Sequence, residues 1–151
     1  MLTDLILTFL ISISPAGEAR AGIPYGILRH VPVLTAFLVG WIANLLVFPA
    51  FFKVIDFSNR LFWNNKWYRK VAVFLAKRAK NKTQKNIAKY GFWGLMVFVM
   101  IPLPITGSYM GTLAAYIFRM DYKKSLLAVS TGVTISCVIV TIITAFGKHI
   151  F

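Results

Sequence analysis

An all-α polytopic membrane protein, built as an inverted repeat of a re-entrant hairpin plus a transmembrane helix and joined by a basic amphipathic cytoplasmic helix, is the fold this sequence predicts. Three observations predict it. The 151 residues are 58% hydrophobic with a mean hydropathy of +0.72, a composition above that of soluble domains. Apolar runs of full bilayer length alternate with runs half as long. Basic residues are gathered into one long connector and one short cluster, as in cytoplasmic loops.

The first element is the apolar run of residues 1–13, which Ser14-Pro15 breaks. Residues 19–28 are again compatible with a helix, so 1–30 reads as a hairpin that enters the membrane, turns, and leaves by the same face. Residues 33–52, VLTAFLVGWIANLLVFPAFF, form a full span, since crossing about 30 Å of hydrocarbon takes roughly 20 helical residues. Residues 53–90 form the connector, where Trp63, Trp67, Val71, Phe74 and Leu75 interleave with Lys66, Arg69, Lys70, Lys77 and Arg78. That is the pattern of an amphipathic helix lying on an anionic membrane face. The run GFWGLMVFVMI of residues 91–101 reaches only about 16 Å before PLPITG interrupts it. With the return through residues 108–118 it makes a second hairpin, 91–118. Residues 125–147 complete the chain as a second full span.

The two hairpins are weakly alike. A shift of 89 superposes Pro15 on Pro104 and Gly22 on Gly111, whereas a shift of 85 superposes the two G-x-x-x-G motifs, Gly22/Gly26 on Gly107/Gly111. Inverted repeats with Pro/Gly-interrupted helices in matching positions point to a transporter-type site near the membrane midplane.

The formal net charge of +13 is distributed in the same sense. Eleven of the seventeen Lys and Arg lie between Lys53 and Lys89, and Arg119, Lys123 and Lys124 form a second cluster. With hairpins re-entering from opposite faces, fourteen basic residues fall inside and two, Arg29 and Lys148, outside, leaving Arg20 within the membrane. No base-reading motif accompanies the charge, so nucleic acid is not an expected partner. A cleaved signal peptide is disfavoured, because Asp4 and no Lys or Arg precede the apolar run.

The blocks SPAGEARAGIPYGI and IPLPITGSYMGTLAAYIFRM resemble the small multidrug export protein family and, more distantly, the DedA (SNARE-associated Golgi protein) superfamily. The resemblance implies two opposed re-entrant hairpins and the export or translocation of small or lipid-like substrates.

Glu18 and Arg20 are the candidate site. An ionisable side chain in the membrane costs about 2.5–3.5 kcal/mol on insertion scales, so this pair demands pairing, water or function. An irregular tip after Ser14, Pro15 and Gly17 is expected to bring them to one small cavity, with Glu18 as proton or cation carrier and Arg20 as its partner or an anion anchor. The alternative is an internal ion pair that staples the tip. Pro102, Pro104, Thr106 and Gly107 form the opposite tip, where prolines leave carbonyls without N–H partners. Asn44 is the polar residue in the middle of the first span. Ser130, Thr134, Cys137, Thr141 and Thr144 share one face of the last span, as small residues used in close helix packing do.

The acids are Asp4, Glu18, Asp56 and Asp121, and the two histidines lie near hairpin or chain ends, so no catalytic or metal-binding constellation is legible and no cofactor is expected. The expected function is a small transporter in the cytoplasmic membrane, exporting an amphipathic small molecule by proton coupling through a midplane hairpin site. Alternatives are a DedA-like lipid-phosphate translocase and a non-transporting membrane assembly factor. Expected partners are anionic inner-leaflet lipid, an amphipathic or lipid-like substrate, and a second copy in a homodimer.

Overall fold

The computed structural model describes residues 2–62, 66, 70, 73–74, 91–102 and 107–150, the last three by backbone alone. The amphipathic connector, Pro104 and Thr106 therefore lie wholly or mostly outside the described residues. Six helices and no strand occur among those described: α1 Leu2–Ile13, α2 Glu18–Leu28, α3 Val33–Phe62, α4 Phe92–Met100, α5 Ser108–Ile117 and α6 Tyr122–Ile150.

Local chemistry ends the short helices. Ser14 and Ile101 each precede a proline, whose ring disfavours the α conformation in the residue before it. Ile101 accordingly turns extended, with φ −68° and ψ 118°. At the far ends of α2 and α5 the chain leaves by one and the same motif. His30 and Arg119 adopt left-handed φ values of 63° and 51°, and each donates its amide three residues back, to the carbonyls of Ile27 and Tyr116. The next amides, of Val31 and Met120, reach Gly26 and Ala115 at 3.0 Å. This is the double bond pattern of a Schellman stop, normally given to glycine; a side chain there costs about 1 kcal/mol.

The two long helices have 30 and 29 residues, about 45 Å each, which exceeds the hydrocarbon thickness of about 30 Å. Helix α3 continues well past Phe52, where the sequence pattern places the end of the span. No breaker follows Phe52, and Asp56 and Arg60 support the extra turns as an i,i+4 ion pair at 3.0 Å. Likewise α6 begins at Tyr122, before Ser125. Both are apolar enough to cross a membrane. Leu34, Leu38, Ile42 and Leu46 on α3, and Leu127, Val138, Ile142 and Phe146 on α6, face outward exposed, as lipid-facing residues do.

Because lipid is as apolar as leucine, helix association in a membrane relies on close packing of small residues. Helices α1 and α2 run antiparallel: Gly22 lies against Ser12 and Gly26 against Thr8. A Cβ on Gly26 would also come within 3.1 Å of the Ala36 methyl, which is how α3 closes on the same face. The second hairpin packs on α6 in the same way. A Cβ on Gly132 would sit 2.8 Å from the Met96 carbonyl, and one on Gly111 would meet a Val99 methyl at 2.5 Å. Helix α3 passes hairpin α1–α2 with its first half and hairpin α4–α5 with its second. Helix α6 runs antiparallel beside it, tied by the Trp41 indole N–H donating to Thr134 Oγ1 at 2.9 Å and by the Phe48–Tyr122 ring contact.

Several landmarks recur at an offset of 89. The buried positions Ala19, Gly22, Ile23 and Gly26 of α2 match Ser108, Gly111, Thr112 and Ala115 of α5. His30 matches Arg119 in the Schellman stops, and Val33 matches Tyr122 at the starts of the long helices.

Candidate functional site

The break after α1 is a short turn. Ser14 accepts the amides of Gly17 and Glu18 at its carbonyl, at 3.2 and 3.0 Å, and the amide of Ala16 at its hydroxyl, at 3.3 Å. Ser14 therefore serves the turn locally. The chain re-enters helix at Glu18, whose φ of 52° is left-handed. Such a conformation costs a non-glycine residue about 1–3 kcal/mol and persists only where surrounding structure enforces it. What enforces it here is the partner hairpin. The Glu18 side chain is directed across to the start of α5 and is 7% exposed.

There the carboxylate lies flat against Gly107, so closely that a Cβ on Gly107 would overlap both oxygens. The amides of Ser108 and Tyr109 face it, and the Tyr109 N–H donates to Glu18 Oε1 at 3.4 Å. A helix N-terminus presents unpaired N–H groups and the positive end of the helix dipole, so it is suited to a carboxylate.

Arg20 takes the complementary position. Its Nη2 donates to the Val99 carbonyl, in the last turn of α4, at 3.0 Å, and its Nε donates to Ser136 Oγ of α6 at 3.3 Å. The guanidinium thus meets the negative end of one half-helix while the carboxylate meets the positive end of the next. Sequence reasoning expected both charges on an irregular tip. The structure places Arg20 inside α2, two residues after the left-handed Glu18, and both line one small cavity.

The remaining contacts close the junction. The Tyr109 hydroxyl donates to the Ile13 carbonyl, satisfying the C-terminal end of α1. Ser108 Oγ donates to Asn44 Oδ1 at 2.6 Å, and Thr112 Oγ1 to the Ser108 carbonyl at 2.6 Å. Among the described residues, the ends of α1 and α4 and the start of α5 thus each receive a polar partner from the other hairpin. A cavity of about 260 Å³ remains beside the junction, lined by Pro15, Gly17, Glu18, Arg20, Ala21 and Pro102.

Of the residues singled out from the sequence, Glu18, Arg20, Asn44 and Gly107 gather within this junction, Pro15 and Pro102 line its cavity, and Ser14 shapes the turn. Ser108, Tyr109, Trp41 and Ser136 were not singled out. Ser108 and Tyr109 immediately follow Gly107 in the second tip, which is a signal that was legible. Ser136 belongs to the buried face of α6 with Val129, Val133 and Cys137. In the stripe of small residues, Thr141 and Thr144 donate back to Cys137 and Val140 at 2.7 and 2.8 Å. Among the described residues no three His, Cys, Asp or Glu side chains gather as a metal set.

Comparison with known proteins adds one match. Residues 18–139 match the model of a family described as "Putative small multi-drug export protein", a stretch that begins at Glu18, just after the first tip, and includes the second. No curated protein and no solved structure matches the chain.

Proposed function

The chain belongs to that family of small multi-drug export proteins, and on this premise we propose that it exports an amphipathic small molecule, with proton movement at Glu18 coupled to opening and closing of the hairpin junction. The carrying observation is the placement of Glu18. It is a buried carboxylate in a strained conformation, held by the N-terminus of a half-helix belonging to the other hairpin.

In this reading the two hairpins are re-entrant, lie in inverted repeats, and meet near the midplane of the cytoplasmic membrane, which the chain crosses more than once. Support comes from the offset of 89 that relates the buried faces, the Schellman stops and the starts of the long helices. Half-helix ends that meet polar groups at mid-membrane are the architecture secondary transporters use for substrate and ion sites. Ionised Glu18 favours the closed junction, because the α5 amides and the Arg20 charge both stabilise a carboxylate. Protonation removes that attraction and loosens the tips. Alternating exposure then follows from which hairpin separates from the long helices.

The test uses proteoliposomes loaded with ethidium, an amphipathic cation, under an imposed pH gradient. The expected result is gradient-dependent ethidium flux by the natural chain and its loss in Glu18→Gln, with the folded fraction measured for both. Equal flux per folded molecule would remove Glu18 from coupling and leave it a structural clamp.

A further inference from the structure

A second cavity, of about 680 Å³, opens far from the hairpin junction, between the last turns of α3 and the end of α5. Phe52 and Tyr116 form its floor, their rings in edge contact with centroids 5.4 Å apart. Asp56, Asn59, Arg60 and Arg119 supply the polar part of its lining. The combination is an aromatic pair beside two arginines from distant parts of the chain, which outnumber the one carboxylate of the lining.

Three features make this a built arrangement and not a chance gap. Arg60 is tethered by Asp56 at 3.0 Å along one helix, and a guanidinium carries five N–H donors, more than one carboxylate can engage. Arg119 holds the left-handed position of the Schellman stop, where glycine fits without strain, so a long basic side chain is kept at a backbone cost. Strained non-glycine backbone concentrates at sites of function. The cavity also sits at the end of α3 from which the basic connector departs, and the exposed Val54, Phe57 and Leu61 flank it as membrane-interface residues do.

We propose that this cavity binds the phosphate group of an amphipathic anion, an anionic phospholipid of the inner leaflet, with Arg60, Arg119 and Asn59 holding the phosphate oxygens and Phe52 and Tyr116 receiving the first methylenes of the chain. Arginine suits this task because its planar fork matches phosphate oxygens in pairs. The site is independent of the coupling assigned to Glu18, and its test needs no flux.

The experiment is native mass spectrometry of the full chain in mild detergent, titrated with phosphatidylglycerol or phosphatidylcholine. Phosphatidylglycerol is expected to remain bound at least ten-fold more than phosphatidylcholine. The pair Arg60→Ala/Arg119→Gly is expected to lose that preference while melting no lower than the natural chain, since Arg60 is largely exposed and glycine relieves the strain at 119. The control Lys123→Ala/Lys124→Ala removes the same charge from exposed positions outside the cavity and is expected to keep the preference. Competition with sn-glycerol 3-phosphate identifies the source. Displacement means the phosphate alone suffices, and no displacement means the acyl chain is required; either keeps the site. Equal retention of the two lipids, an undiminished preference in the arginine pair, or an equal loss in the lysine control would overturn the proposal.

Discussion

The substitution Gly107→Ala probes the hairpin junction directly. Gly107 has φ −81° and ψ −150°, a conformation any residue adopts, so alanine meets no backbone strain there. What it meets is the Glu18 carboxylate, which the new methyl would overlap. The carboxylate must leave the start of α5 and give up the Tyr109 amide. A charge at a helix end is worth about 0.3–2 kcal/mol and a charged hydrogen bond about 1.5–3 kcal/mol, so the loss is roughly 2–4 kcal/mol. For a chain of 151 residues that lowers Tm by roughly 5–15 °C. The control is the same substitution in a Glu18→Ala background, where the obstructing group is gone. Alanine and glutamate pay alike for the left-handed φ at position 18, so the background adds no new backbone term. There Gly107→Ala costs only the poorer N-cap, up to about 1 kcal/mol. Thermal melting of the four proteins in detergent closes the cycle, with an expected coupling of at least ~1.5 kcal/mol. Equal costs in both backgrounds would show that Glu18 does not rest on Gly107, and the junction would have to be redrawn.

Two further expectations test other parts of the fold. Ser12 is fully buried and its hydroxyl has no hydrogen-bond partner among the described residues, so Ser12→Ala is expected to stabilise by about 1 kcal/mol, seen as a rise in Tm; a fall would reveal a partner for that oxygen. In a Cys137→Ser background, a single cysteine at position 29 is expected to react with an impermeant thiol reagent from outside the cell and one at position 122 only from inside, and labelling of position 122 from outside would refute the re-entrant arrangement.

How far the sequence reached can be judged at particular elements. The stops before Pro15 and Pro102 were legible because a proline constrains its preceding residue whatever the rest of the chain does. The outward apolar stripes of α3 and α6 were legible as length and composition. The end of α3 was not: the sequence changes from apolar to mixed at Lys53, but a helix does not require apolar residues to continue. The choice between offsets of 89 and 85 was open too. Glycine spacing and buried faces fit both, whereas the Schellman stops and the starts of the long helices recur only at 89.

By itself, then, the sequence determined where helices stop, which runs suit lipid, and that Glu18 and Arg20 were too costly to be incidental. Tertiary structure alone decided what they touch. The two residues stand two apart, yet Glu18 reaches Tyr109, 91 positions away, and Arg20 reaches Val99 and Ser136, 79 and 116 positions away. Backbone stops follow from sterics between neighbours, which a sequence displays. A buried charge is satisfied by whichever unpaired helix end the packing of Gly22 on Ser12, Gly26 on Ala36 and Gly132 on Val99 brings within reach, and that is a property of space filled by the whole chain.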